Sequence, residues 1–123
     1  MVIQKKLIFG KGLMLPTISG AKKITLRKYR SGSHDFQKNE LVFGEFMDGF
    51  TIILRITADT EIMAFSGLTD EIAREDGYEN ANDAFTKLKQ YYPDLKKEDP
   101  LALIRYGIPA ITGEKTIRLN EYN

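Results

Sequence analysis

The chain of 123 residues has no cysteine, no tryptophan and a single histidine. Without cysteine there is no disulfide framework, no thiolate zinc site and no thiol nucleophile. One histidine excludes a two-histidine acid/base pair and any multi-histidine metal centre, and no metal or cofactor is expected. No run of about 18 apolar residues occurs, so no segment reads as a membrane span. Lys5 and Lys6 are not followed by an apolar stretch of signal-peptide length. These absences point to a cytoplasmic setting. Gly10-Lys11-Gly12 lacks the rest of a phosphate-loop or dinucleotide fingerprint and reads as a turn.

What is present is ordinary for one globular domain: 42% hydrophobic and 28% charged residues. The formal net charge of +1 conceals a division. Residues 1–38 carry nine cations and one anion, a net of +8, whereas residues 39–99 carry six cations and fourteen anions, a net of −8. Such asymmetry fits a polyanionic partner, and equally fits two halves that neutralise each other in the fold.

The most informative segment runs from Gly20 to Tyr29. As a strand from Lys23, it alternates: Lys23, Thr25, Arg27 and Tyr29 on one face, Ile24, Leu26 and Lys28 on the other. One face would anchor in a core while the other presents a hydroxyl, a ring and positive charge, the set that a phosphate- and base-bearing ligand requires.

Strands are expected at Val2–Phe9, Lys23–Arg30, Leu41–Phe46, Phe50–Glu61 and Leu101–Tyr106, with a last short strand at Thr116–Leu119. Ile52, Leu54, Ile56 and Ala58 mark one face of the fourth, and Thr51, Ile53, Arg55, Thr57 and Asp59 the other. Pro16 limits the segment before Gly20 to a turn or a short helix. One helix should begin at an N-cap Thr69, with Asp70 and Glu71 in its first turn, and stop at Gly77. A second should run from Asn80–Asn82 to Tyr91 or Tyr92, with Ala84, Phe85, Leu88 and Tyr92 on one face. His34 lies in the turn-like string Ser31-Gly32-Ser33-His34-Asp35 and reads as a solvated loop residue.

The order of these segments resembles the ASCH domain family, a relative of the PUA domains. Ile18-Ser19-Gly20-Ala21-Lys22-Lys23-Ile24-Thr25-Leu26-Arg27 is similar to the family's glycine-x-lysine-x-x-threonine-x-arginine segment. Phe36-Gln37-Lys38-Asn39-Glu40-Leu41-Val42 resembles its phenylalanine-x-x-glycine-aspartate-x-valine turn, with Asn39 tolerating the left-handed geometry of the glycine it replaces. Leu68 to Tyr78, followed by Phe85, Leu88 and Tyr91-Tyr92-Pro93, resembles the family's helix pair.

The resemblance implies an α+β fold: a small PUA-like β-barrel with two helices packed beside it, in a single domain of residues 1–123, with 107–123 a candidate C-terminal extension. It also implies a basic cleft between barrel and helices, near the Gly20–Arg27 segment, that binds RNA or a modified nucleoside. Lys22, Lys23 and Arg27 would hold phosphate or base edges, and Tyr29 and Tyr78 would stack on a base. In a branch of the family resembling 4-acetylcytidine amidohydrolases, the matching residues would be Lys22 as general base, Thr25 as nucleophile and Asp76 as proton donor. Asp76 stands where that branch has a glutamate, one methylene longer.

General chemistry permits this set. A threonine hydroxyl needs a base, and a lysine serves only where nearby cations or desolvation favour its neutral amine. Lys23, Arg27 and Lys28 are near Lys22 in sequence. The alternative is that Lys22 and Arg27 bind phosphate, Thr25 is a strand residue and Asp76 is solvated at a helix end. A ribonuclease acting without paired histidines, and a protein-interaction module, are further readings.

Overall fold

A computed structural model describes Ile3 and residues 5–109. The elements, in chain order, are β1 (Lys6–Phe9), α1 (Met14–Ser19), β2 (Ile24–Lys28), β3 (Leu41–Phe46), β4 (Thr51–Ile56), β5 (Glu61–Ala64), a 3-10 turn (Phe65–Gly67), α2 (Asp70–Glu75), α3 (Ala81–Leu88) and β6 (Pro100–Gly107). The sheet has the order β1-β3-β4-β6-β2, and β5 also pairs with β6. Only β1 and β3 are parallel; the other pairs are antiparallel. The sheet curls into a half-barrel with helices beside it, the small α+β, PUA-like architecture that the sequence implies. Among the described residues, no helix is long and apolar enough to cross a membrane.

Two apolar clusters lie on opposite faces of β6. Leu101 to Ile104 are all buried, because Ala102, Ile104 and Tyr106 face the barrel while Leu101 and Leu103 face the helices. A strand covered on both faces reads as a continuous apolar run. The barrel cluster also takes Val42 and Phe46 of β3 and Ile52, Leu54 and Ile56 of β4, three of the four residues expected to share a face; the fourth, Ala58, lies beyond the end of β4. The helical cluster takes Ile24 and Leu26 of β2, with Ala73, Ala84 and Leu88 from α2 and α3.

The local signals explain most element ends. Thr69 caps α2 by accepting a hydrogen bond from the Ile72 N–H at 3.2 Å. Asn80 does the same for α3 through the Asp83 N–H at 2.8 Å. Gly20 closes α1 at φ +84°, a left-handed geometry that glycine adopts without steric cost. Asn39, at φ +75°, is the non-glycine residue with positive φ, as the turn around it requires.

Three boundaries differ from expectation. The long fourth strand is interrupted at 57–60, where the chain bonds to the 36–40 turn instead. The Phe36 N–H donates to Thr60 Oγ1 at 3.0 Å, and the Lys38 N–H to Asp59 Oδ1 at 2.7 Å. α3 ends at Leu88, and its continuation to Tyr92 is a series of turns, with Tyr91 and Tyr92 both donating to the Leu88 carbonyl. β2 is the shorter Ile24–Lys28, although the Tyr29 N–H still donates to the Pro100 carbonyl at 2.9 Å. The expected strand at Thr116–Leu119 and nearly all of the candidate extension lie outside the described residues.

Gly44 sits where β3 crosses the core. A Cβ there would lie 2.8 Å from Leu54 Cδ1 and 3.4 Å from Phe9 Cε2. Gly44→Ala is therefore expected to destabilise the protein by about 1–3 kcal/mol through overpacking. Urea unfolding should show a lower midpoint with an unchanged m-value.

Candidate functional site

The alternation expected in β2 is present, but both of its faces are covered. Ile24 and Leu26 pack under the helices. On the other face Thr25 is 5% exposed, and Tyr29 packs against the barrel cluster. Lys23 remains exposed.

Lys22 and Asp76, 54 residues apart, meet in a hydrogen-bonded ion pair. Their side chains are 11% and 5% exposed. Asp76 reaches this position as the residue that ends α2. Its second oxygen accepts from the Leu26 N–H at 3.1 Å, and the Lys22 ammonium also donates to the Ile24 carbonyl at 2.9 Å. The carboxylate is thus fixed to the start of β2 from two directions. Burial pushes the Asp76 carboxyl above its ordinary range, while Lys22, the Leu26 N–H and Arg27 oppose that shift. Glu75 points elsewhere and binds Arg105, with Nη1 to Oε2 at 2.7 Å.

Thr25 and Arg27 form a second unit. Arg27 Nε donates to Thr25 Oγ1 at 3.2 Å, and Nη2 donates to the Ile8 carbonyl at 2.7 Å. The guanidinium also lies over the Phe9 ring, 5.5 Å from its centroid. Burial disfavours its charge; Tyr92, Asp76, Tyr106 and Tyr78 act in the opposite direction. Among the described residues no hydrogen bond joins Lys22 to Thr25. Near this unit, Thr17 Oγ1 and the Tyr106 hydroxyl are buried close to one another. Burial raises the Tyr106 pKa, Thr17 opposes that shift and Asp76 adds to it. The Tyr78 hydroxyl is pushed up to about 12, chiefly by burial.

A hollow of about 360 Å³ opens beside Arg27. Lys5, Lys6 and Ile8 line one wall, and Arg30, His34 and Asp35 line the other. Of the residues singled out in the sequence, Arg27 reaches it; Lys22, Thr25, Asp76 and Tyr78 do not line it. Tyr29 supports it indirectly. Its hydroxyl donates to Asp35 Oδ1 at 2.6 Å, which raises the phenol pKa and holds the Asp35 carboxyl below its ordinary range. His34 is half-buried rather than solvated, and its Nδ1 accepts from the Arg30 N–H at 2.9 Å. Burial, then Arg27 and Arg30, hold its pKa down.

Sequence reasoning missed Lys5, Lys6, Arg30 and His34 as neighbours of Arg27. Their signal was the excess of cations before residue 39. Four ion pairs join those cations to carboxylates of the acidic stretch: Lys5–Glu40, Lys6–Glu45, Lys22–Asp76 and Lys28–Asp99. Neutralisation between the halves is therefore real but incomplete, because neither Arg27 nor Arg30 has a carboxylate partner among the described residues.

Known structures share this arrangement of strands and helices. A crystal structure of an ASCH domain from Lactobacillus crispatus JV V101 superposes with a TM-score of 0.57, covering 81% of this chain and 78% of that one at 12% identity. This chain has an ASCH-like fold. A protein of Enterococcus faecalis V583, described by the family model DUF984, matches with a TM-score of 0.65 at 15% identity, over 87% of this chain and 80% of that one. No family model and no curated protein sequence matches the chain. At these identities the ASCH-like likeness concerns the fold.

Removing one member of a buried ion pair strands the other. Asp76→Ala is expected to lower stability by about 3–5 kcal/mol, measured by denaturant unfolding. In the wild type, carboxyl-detected NMR should find Asp76 titrating above the usual aspartate range. A raised folded-state pKa favours the protonated form, so this contribution is full below the unfolded-state value and is lost as pH rises through the folded-state value.

Proposed function

We propose that this ASCH-like domain binds RNA or a modified nucleoside at the basic cleft around Lys22, Lys23 and Arg27. The observation that carries the reading is the Arg27 guanidinium. It is partly buried, lacks a carboxylate partner among the described residues, and stands between the Lys22–Asp76 pair and an open basic hollow. An arginine has five N–H donors, and two hydrogen bonds from Arg27 are formed here. A phosphate or a base edge would satisfy further donors. Tyr78, beside the same guanidinium, is the better-placed candidate for contact with a base; the Tyr29 hydroxyl is engaged by Asp35. The lack of cysteine accords with a cytoplasmic setting.

The Lys22–Asp76 contact favours a second reading, an amidohydrolase acting on 4-acetylcytidine-type nucleosides. A lysine that donates to a carboxylate is not a base as it stands. Passing its proton to Asp76, whose burial favours the neutral acid, would leave a free amine near Thr25 and a carboxylic acid ready to protonate the leaving amine. Thr25 would then need to exchange its Arg27 contact for one with the amine. A ribonuclease in the same cleft would have to draw on the same lysine and carboxylate.

The two readings diverge on substitution. For binding alone, Arg27→Lys and Lys23→Ala are each expected to weaken affinity for a short RNA by about tenfold, and Thr25→Ala to leave it unchanged. The logarithm of the binding constant should fall linearly with the logarithm of salt concentration, by about 0.7 per phosphate contacted. For the amidohydrolase, 4-acetylcytidine should yield cytidine, Thr25→Ala should abolish this, and Asp76→Asn should slow it by about 10²–10⁴-fold. Absence of turnover by the folded protein rejects the enzyme. Absence of binding to any short RNA or modified nucleoside rejects the first reading.

A further inference from the structure

We infer that the hollow between β1 and the 30–35 loop is a binding site for a phosphate monoester, the terminal phosphate of a nucleotide-like ligand. The inference rests on the reading above for the nucleoside to which the phosphate is attached, and on the hollow alone for the phosphate.

The site exists because β1 and β2 end the strand path, so among the described residues the edges that face each other across the seam lack strand partners. Lys5 and Phe9 turn their carbonyls toward β3, accepting from the Phe43 and Met47 N–H groups. By alternation, Lys6 and Ile8 turn their backbone groups toward the seam. There the Ile8 carbonyl already accepts from Arg27. The Ile8 N–H shares that direction and, among the described strands, has none opposite it.

The charge at the hollow matches a dianion. Four cations line it, with Asp35 as the one carboxylate. Lys5 and Lys6 are held at the rim by Glu40 and Glu45, at 2.9 Å and 3.5 Å. Among the described residues Arg27 and Arg30 have no such partner, leaving two guanidinium charges at one opening. A phosphate monoester near neutral pH carries about −1.5 to −2 charge, whereas a diester linkage within an RNA strand carries one. Asp35 does not compete for these guanidiniums. Its oxygens accept from the Tyr29 hydroxyl and from the Gly32 N–H, at 2.6 Å and 2.7 Å, and serve to shape the loop.

Hydrogen-bond donors complete the set. With Nδ1 of His34 accepting from the Arg30 N–H, the neutral ring carries its proton on Nε2 and presents a donor there. Arg30 Nε is held by Ser33 Oγ at 3.1 Å, which orients the remaining guanidinium donors. At about 360 Å³ the hollow falls within the range of small-molecule sites.

Calorimetric titration of the full chain with inorganic phosphate, cytidine and cytidine 5′-monophosphate at low salt tests this. The monophosphate is expected to bind at least tenfold more tightly than cytidine. Arg30→Ala should remove that gain and leave cytidine affinity unchanged, since Arg30 is exposed and its side chain bonds only to Ser33. His34→Gln, which keeps a donor, should retain most of it. Amide shifts on adding phosphate should centre on Ile8, Arg30 and His34. Equal binding of cytidine and its monophosphate, or a gain that survives Arg30→Ala, overturns the phosphate site and leaves the nucleoside reading intact. Binding of phosphate with the expected loss in Arg30→Ala, but no discrimination in favour of any nucleoside, upholds the site and overturns the nucleoside reading. Binding of none of the three overturns the phosphate site and counts against the nucleoside reading.

Discussion

Arg27 holds together a barrel that its backbone does not close. The strand path begins at β1 and ends at β2, so among the described residues no ladder joins those two edges. The guanidinium crosses the gap. It rises from β2, donates to the Ile8 carbonyl of β1 and lies over the Phe9 ring. A closed barrel would satisfy these edges with strand hydrogen bonds. Here a side chain does so at one point and leaves the rest of the seam open, and the opening is the hollow. The same residue therefore bridges the seam and contributes charge to the hollow.

Around that clasp, the polar groups divide by depth. Lys22 and Asp76 are largely enclosed and neutralise each other, and the Leu26 N–H and the Ile24 carbonyl fix them to β2. Such a pair adds little net stability by its own attraction, because two charges have lost their water. What it does is position: it ties the end of α2 to the start of β2 across the helical cluster. Arg27 is partly buried beside that pair, and Arg30, His34 and the rim lysines line the opening.

The apolar framework explains why these groups stay distinct. β6 presents Ala102, Ile104 and Tyr106 to the barrel and Leu101 and Leu103 to the helices. β2 runs beside it, and its alternation sends Ile24 and Leu26 to the helices and Thr25 and Arg27 to the barrel side. Two cores on opposite faces of the same pair of strands leave polar residues only where the sheet ends, at the seam and at the end of α2.

Local chemistry was legible in the amino-acid order. The cap at Thr69, the stop after Asp76, the left-handed Asn39, the shared face of β4 and the alternation of β2 all follow from interactions within a few residues, which sequence spacing records directly. The ASCH-like motifs likewise singled out Lys22 and Asp76, which do meet. Sequence did not show that both faces of β2 are buried, that the strand after Phe50 breaks at 57–60, or that Lys5, Arg30 and His34 surround Arg27. Those outcomes depend on which edges end up facing each other once the sheet curls. Nothing within a single segment records the distance between its edge and another strand's, so only the tertiary structure decided where the positive charge went unpaired.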